Sequence, residues 1–431
     1  STAVLYTASW NQDDPYNLQC PVLREGRALT GCVATSMAIV MKYHADRGYR
    51  AEGKGRHSYV DDGEEYAADF GAYDWANMPD RTEDFTSTVQ RQAVARLMHH
   101  CAVSIESDFE VDGTGSINWR TSVALTSFFG YDGKLGYILK EEYSDAEWKK
   151  MIRNEIDADR PVIYDGDQKH GGGHSFVLSG YSDADLYFFN WGWGGRSNGW
   201  YALSALTPSI YDFSYGQGML TGIQEASGEP ISSLRLVKGR QSQTNPDGIV
   251  ITEEGSRFII HGGTFENRSY QPFFGSIGVA LTDAGGAIRE IVGSNDNCML
   301  DGNHYRNNSR YIGDLYCTMT VAAAATDHLR FVSSEDNRQT WQTIYGAPGI
   351  AWETSVANEA IDPSPSVRVT GTVEGLRVNS PYSETLRVYS PEGRMLFEGF
   401  KQAGERRFDV RLPGGIVIVR SDHWVRKIIN N

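Results

Sequence analysis

Residues 33–41 place seven apolar side chains and two small hydroxyls in succession, with no glycine, proline or charge among them. A surface helix would show an apolar stripe; a run apolar on every side predicts a helix through the middle of a domain. A second helix is predicted over 87–101, where Val89, Ala93, Leu97 and Cys101 recur at helical spacing and His99 and His100 close the last turn. Ser116 is read as the N-cap of a helix through Phe129. Ser144-Asp145-Ala146-Glu147 is a capping box for a helix bearing Trp148, Ile152 and Ile156, which stops before Pro161. Beyond Pro161 the period changes to that of strands, at 162–164, 174–178, 186–190 and 200–203, joined by short turns into one antiparallel sheet.

The remainder reads as β throughout. Short alternating segments such as 248–251, 257–260 and 275–281 recur at the interval of a β-sandwich. A third block alternates at 367–373, 386–389, 408–412 and 416–419, after Asp362-Pro363-Ser364-Pro365, a linker by composition. Three domains follow, 1–226, 227–362 and 366–431, as 431 residues require more than one core. No run of 18 apolar residues occurs, so no helical membrane span is expected. The net charge of -15 argues against nucleic acid, which needs a basic face. From Ser366 onward 11 Lys plus Arg stand against 7 Asp plus Glu, a local +4 that leaves -19 for the rest. Serine at position 1, with no signal segment ahead of it, is read as a processed or trimmed form.

Chemistry enters with cysteine. The five, at 20, 32, 101, 298 and 317, form no C-x-x-C pair and no Cys/His cluster with zinc spacing, so neither metal nor cofactor is called for. Cys298 and Cys317 either pair as a disulfide or stay free. Cys101 belongs to the core face of its helix. Cys32 falls at the first turn of the apolar helix, where unpaired N–H groups and the helix dipole favour a thiolate. It is either a buried hydrophobe or a nucleophile, and His174, 142 residues on, followed by Asn190, supplies the order of a papain-like protease. Gln12, in a polar loop with Pro15, is either surface or an amide donor to an oxyanion.

At these residues the sequence resembles the streptopain family of papain-like cysteine peptidases, including the interpain-type enzymes of oral Bacteroidetes. The matching pieces are Trp10-Asn11-Gln12 with Pro15-Tyr16-Asn17, Thr30-Gly31-Cys32-Val33-Ala34-Thr35, Met41-Lys42-Tyr43-His44, Gly173-His174-Ser175-Phe176-Val177 and Asn190-Trp191-Gly192-Trp193-Gly194-Gly195. The resemblance implies an α+β papain-like catalytic domain, helical part plus antiparallel sheet, followed by two all-β immunoglobulin-like sandwich domains. It makes Cys32 the nucleophile, His174 the base and then acid, and Gln12 with the Cys32 N–H the oxyanion hole of a secreted endopeptidase acting on proteins or peptides, with an N-terminal propeptide absent from this chain. The third member stays open between the Asn190 side chain and the Trp191 carbonyl. Ser116, in the loop 113–116, Gly173 and Trp193 are expected to border the substrate, and His44 and His170 are set aside.

The last block resembles the C-terminal sorting domain of type IX secretion, in Val388-Tyr389-Ser390-Pro391-Glu392-Gly393, Leu412-Pro413-Gly414-Gly415-Ile416-Val417-Ile418-Val419 and Val425-Arg426-Lys427-Ile428-Ile429. That implies the type IX machinery as partner and release or display at the outer cell surface. Two rivals remain: a transferase passing the same acyl-enzyme to an amine, and a surface adhesin with a degenerate enzyme domain.

Overall fold

A computed structural model describes residues 2–226, 236–238, 257–302, 309–345 save 325, 350–351, and 367–430 save 373–374, 391–393, 414, 422 and 424. The expected 248–251 strand and the Asp362–Pro365 linker lie outside these residues. The chain divides into two compact units, the first made of Ser1–Arg235 with Asn267–Pro272 and Asp301–Asn308.

In the first unit the apolar run becomes helix α1, Cys32–Ala45, buried at every position after Cys32. Met37, Ile39, Val40 and Met41 are wholly sealed from solvent, and each such side chain contributes about 1.5–3 kcal/mol of burial. Helix α2, Thr88–Ser104, packs beside it; Ser87 caps it and, with Gln90, completes a capping box. His99 and His100 do not close α2, which runs three residues past Cys101. His100 instead turns its Nδ1 to the Tyr73 hydroxyl at 2.8 Å inside the core. Helix α3, Arg120–Phe128, starts later than expected. Ser116 is not its N-cap, because its hydroxyl donates to the Ile105 carbonyl at 2.7 Å and so ties the preceding loop to the end of α2. Helix α4, Asp145–Asp157, opens on the Ser144–Glu147 capping box as its sequence requires.

The sheet holds seven strands: β1 (Thr2–Val4), β2 (Gly136–Leu139), β3 (Val162–Asp167), β4 (Gly173–Ser182), β5 (Tyr187–Asn190), β6 (Gly199–Tyr201) and β7 (Tyr215–Thr221). Its order is β6-β5-β4-β3-β7-β2, with β1 against β4. All the pairings are antiparallel. Ile163, Val177 and Leu220 from three central strands join the core that surrounds α1. On α4, the Trp148 indole donates to the Tyr164 hydroxyl of β3 at 2.9 Å.

The second unit is all β in its described residues. Two sheets, one built on Arg257–Asn267 and Ser309–Thr318 and one on Phe273–Thr282, Ile288–Leu300 and His328–Ser334, share one apolar core. Cys298 and Cys317 both lie in that core as free thiols. A further pair of sheets, of three and four strands between Arg368 and Asn430, shares a second core around Leu376, Leu386, Val417 and Val419.

Candidate active site

The turn into α1 demands glycine. Gly31 has φ +89°, in the region L side chains avoid, and a β-carbon there would lie 2.8 Å from the Thr114 carbonyl oxygen. The hydroxyl of Thr35 donates back to the Gly31 carbonyl at 2.8 Å and meets the Thr30 hydroxyl at 2.8 Å. Thr114 in turn donates to the Leu29 carbonyl at 2.7 Å. These bonds fix the first turn, so the half-buried Cys32 stands at a helix N-terminus that cannot drift.

Gln12 is brought to the same place by its backbone, whose carbonyl accepts the Thr30 N–H at 3.0 Å. Two residues back, the Trp10 carbonyl accepts the Gly194 N–H at 2.9 Å, so the loop after β5 is joined to the Gln12 segment. The loop at 112–116 borders Gly31 through Thr114 rather than through Ser116.

His174, near the start of β4, is buried, and its Nε2 lies 2.8 Å from the Trp191 carbonyl. A carbonyl only accepts, so Nε2 carries the proton and Nδ1 is left with the lone pair a base needs. Asn190 does not touch the ring. Its amide donates to the Thr7 hydroxyl at 2.9 Å and the Ala8 carbonyl at 2.8 Å, and its Oδ1 accepts the Gly192 N–H at 3.1 Å. The Trp191 N–H is held by Asn198 Oδ1 at 3.0 Å. Asn190 and Asn198 therefore aim the Trp191 carbonyl from both sides. Trp193, half-buried, stacks on His174 at 4.8 Å between ring centroids, with Phe213 at 5.1 Å. These rings keep water from the imidazole. Gly173 is exposed, and a β-carbon on it would run into Asp167, not into the space before Cys32.

Burial raises the Cys32 thiol pKa, opposed by the N–H groups of Ser175, Cys32 and Val33, and the charge of Asp165 raises it further. Burial likewise pulls the His174 imidazole down to about 4, opposed by the Trp191 carbonyl. Each group alone is thus held neutral. His44 is core, its Nδ1 3.2 Å from the Tyr131 hydroxyl, and His170 lies in an exposed glycine-flanked turn. Among the described residues no cluster of His, Cys, Asp or Glu is arranged to hold a metal. No helix there is long and apolar enough to cross a membrane. Asn198 and Thr114 were missed in the sequence, where each is one more polar loop residue; only the fold shows what they hold.

The peptidase C10 family model matches residues 10–201. Streptopain of Streptococcus pyogenes serotype M28 is 32% identical over 237 residues, 50% of this chain and 58% of that protein. The thiol protease/hemagglutinin PrtT of Porphyromonas gingivalis is 34% identical over 233 residues, 51% of this chain and 26% of that protein. The chain thus spans 58% of streptopain and a smaller part of PrtT. Among solved structures, active interpain A cysteine protease of Prevotella intermedia is 34% identical with a TM-score of 0.49, over 52% of this chain and 95% of that one.

Proposed function

Because the chain belongs, through residues 10–201, to the peptidase C10 family, we propose that it is a secreted cysteine endopeptidase that hydrolyses proteins through an acyl-enzyme on Cys32. The observation that carries this reading is the His174–Trp191 bond, which leaves Nδ1 as the ring's acceptor, and it is supported by the N–H groups that favour a thiolate at Cys32. Neither group is easily charged by itself, since an isolated buried charge is costly. Passing the thiol proton from Sγ to Nδ1 creates both charges at once, each with its own support: N–H groups for the thiolate, the Trp191 carbonyl for the imidazolium.

The thiolate attacks the scissile carbonyl and forms the carbon–sulfur bond as the imidazolium returns its proton to the leaving amine. Water, deprotonated by the same imidazole, then cleaves the thioester and restores the thiol. The developing oxyanion is met by the Cys32 N–H and the Gln12 amide, and losing one such donor costs about 3–4 kcal/mol of transition-state stabilisation. The second unit is read as immunoglobulin-like spacing followed by a type IX sorting module that takes the enzyme to the cell exterior.

The test compares proteolysis of a denatured protein substrate by the intact chain and by Cys32→Ala, with and without a thiol-directed epoxide. Loss of cleavage in the variant, and inhibition of the parent with one epoxide bound per chain at Cys32, are expected. Cleavage that survives the substitution overturns the mechanism.

A further inference from the structure

Close enough to Cys32 for its charge to act on the sulfur is a carboxyl group, that of Asp165, which the mechanism above does not use. Asp165 on β3 stands opposite Ser175 on β4, so their side chains share one face of the sheet. Ser175 touches the sulfur with its N–H and donates its hydroxyl to Asn118 Oδ1 at 2.9 Å. The other end of that amide, Asn118 Nδ2, and Asp165 Oδ1 are both shut off from solvent, and neither makes a full hydrogen bond. Asp165 Oδ2 accepts the Tyr137 hydroxyl at 2.8 Å. The cradle is cut to this side chain: a β-carbon at Gly218 would fall 2.7 Å from Asp165 Oδ1 and 2.2 Å from the Tyr137 oxygen.

We propose that Asp165, seated in this cradle of Tyr137, Asn118 and Gly218, is a positioning residue that sets how readily the sulfur of Cys32 ionises. The inference rests on Cys32 being the reactive thiol of the proposed peptidase. Its physical content is a charge that is present or absent near the nucleophile. As a carboxylate Asp165 repels the thiolate; as a neutral acid it does not.

The ionisable groups around Asp165 are Tyr137 from β2, Tyr164 and Asp167 on β3 itself, and Cys32 from α1. Strand β7 offers the Gly218 N–H, and His174 alternates to the opposite face of β4 from Ser175. No lysine or arginine among the described residues makes an ion pair with Asp165. Burial, with Asp167 adding to it, lifts its carboxyl to about 7 against the bonds from Tyr137, Gly218 and Asn118. Thiolate formation is therefore eased on the acid side of neutrality and held back above it.

The test reads sulfur, not hydrolysis, so it stands apart from the Cys32→Ala experiment: the rate of Cys32 alkylation by iodoacetamide is followed from pH 5 to 9 by peptide mass spectrometry. In the parent chain the profile is expected to carry an inflection near 7. Asp165→Asn, which keeps the shape and removes the charge, is expected to lose that inflection and react roughly 3- to 10-fold faster at pH 8. Tyr137→Phe deletes a bond to the charged form, so it is expected to move the inflection to higher pH. Should Asp165→Asn fail to fold by circular dichroism, Tyr137→Phe decides alone. Profiles that superimpose on the parent's overturn the proposal.

Discussion

Gly31→Ala tests whether the turn before Cys32 is as tightly specified as the geometry says. Placing an L residue at φ +89° costs roughly 1–2 kcal/mol. The new methyl also meets the Thr114 carbonyl oxygen at 2.8 Å, and its γ-carbon at 3.1 Å. That carbonyl belongs to backbone whose own side chain is bonded to Leu29 and Glu110, so it yields poorly, and overpacking of this kind costs about 1–3 kcal/mol. The expected loss is about 3 kcal/mol, or roughly 6–12 °C in the melting temperature of a unit this size. Relief of the clash moves residue 31 away from the loop and Cys32 with it, and a displacement of about 1 Å at a reacting atom costs on the order of 100-fold in kcat/KM. Gly113→Ala in the same loop is the control, because its β-carbon meets nothing within 4 Å; it should change melting by no more than about 2 °C. Scanning calorimetry with kinetics on a fluorogenic peptide gives both readouts. If Gly31→Ala melts with the parent and keeps its kcat/KM, the reasoning about this turn is wrong.

Other expectations follow from the same geometry. With His174 held down to about 4, the acid limb of kcat/KM should fall as pH drops through about 4, where the imidazole is occupied before the thiol can give up its proton; an acid midpoint at the ordinary 6.5 would count against the buried ring. Burial holds His44 at about 4 and His100 at about 3. Between these values and about 6.5 the unfolded chain binds protons that the folded chain refuses, so stability present at pH 7 is lost as pH falls through that window, by about 3 kcal/mol or more per histidine. His44→Phe and His100→Phe should each flatten the dependence of the urea midpoint on pH between 6.5 and 4, and unchanged slopes would refute the assignment. Asn198→Ala frees the Trp191 N–H and should lower kcat by about 10- to 100-fold with KM little changed, whereas an equal loss in both would place Asn198 on substrate instead.

The parts of this molecule legible in the sequence are those whose cause is local. The α1 helix could be read because residues 33–41 admit no solvent-facing side, and the cap at Ser144 because a hydroxyl and a carboxylate three residues on satisfy each other within one turn. Ser116 misled for the complementary reason: a serine before a helix has a carbonyl at Ile105 within reach only once the chain has folded. His100 likewise looked like a helix end until Tyr73 met it from 27 residues away. Strands β2 and β7, glycine-punctuated and short, carry little alternation of their own; β7 is recruited by β3, and β2 in turn by β7.

The same division runs through the site. Cys32, His174 and Asn190 are visible by residue type and order, but order cannot say that Asn190 spends all its bonds on Thr7, Ala8 and Gly192 and leaves the ring to a backbone carbonyl. A carbonyl is present at every position, so no residue type signals it. What the sequence does show is an asparagine before Trp191, glycines at 192, 194 and 195, which the fold places at positive φ, and indoles that keep water off the contact; Asn198 shows its part only once the fold sets it on the Trp191 N–H. A base oriented by a carbonyl rather than a carboxylate gains no neighbouring charge, which is why its protonation is governed by burial and why the thiol must supply both the proton and the counter-charge.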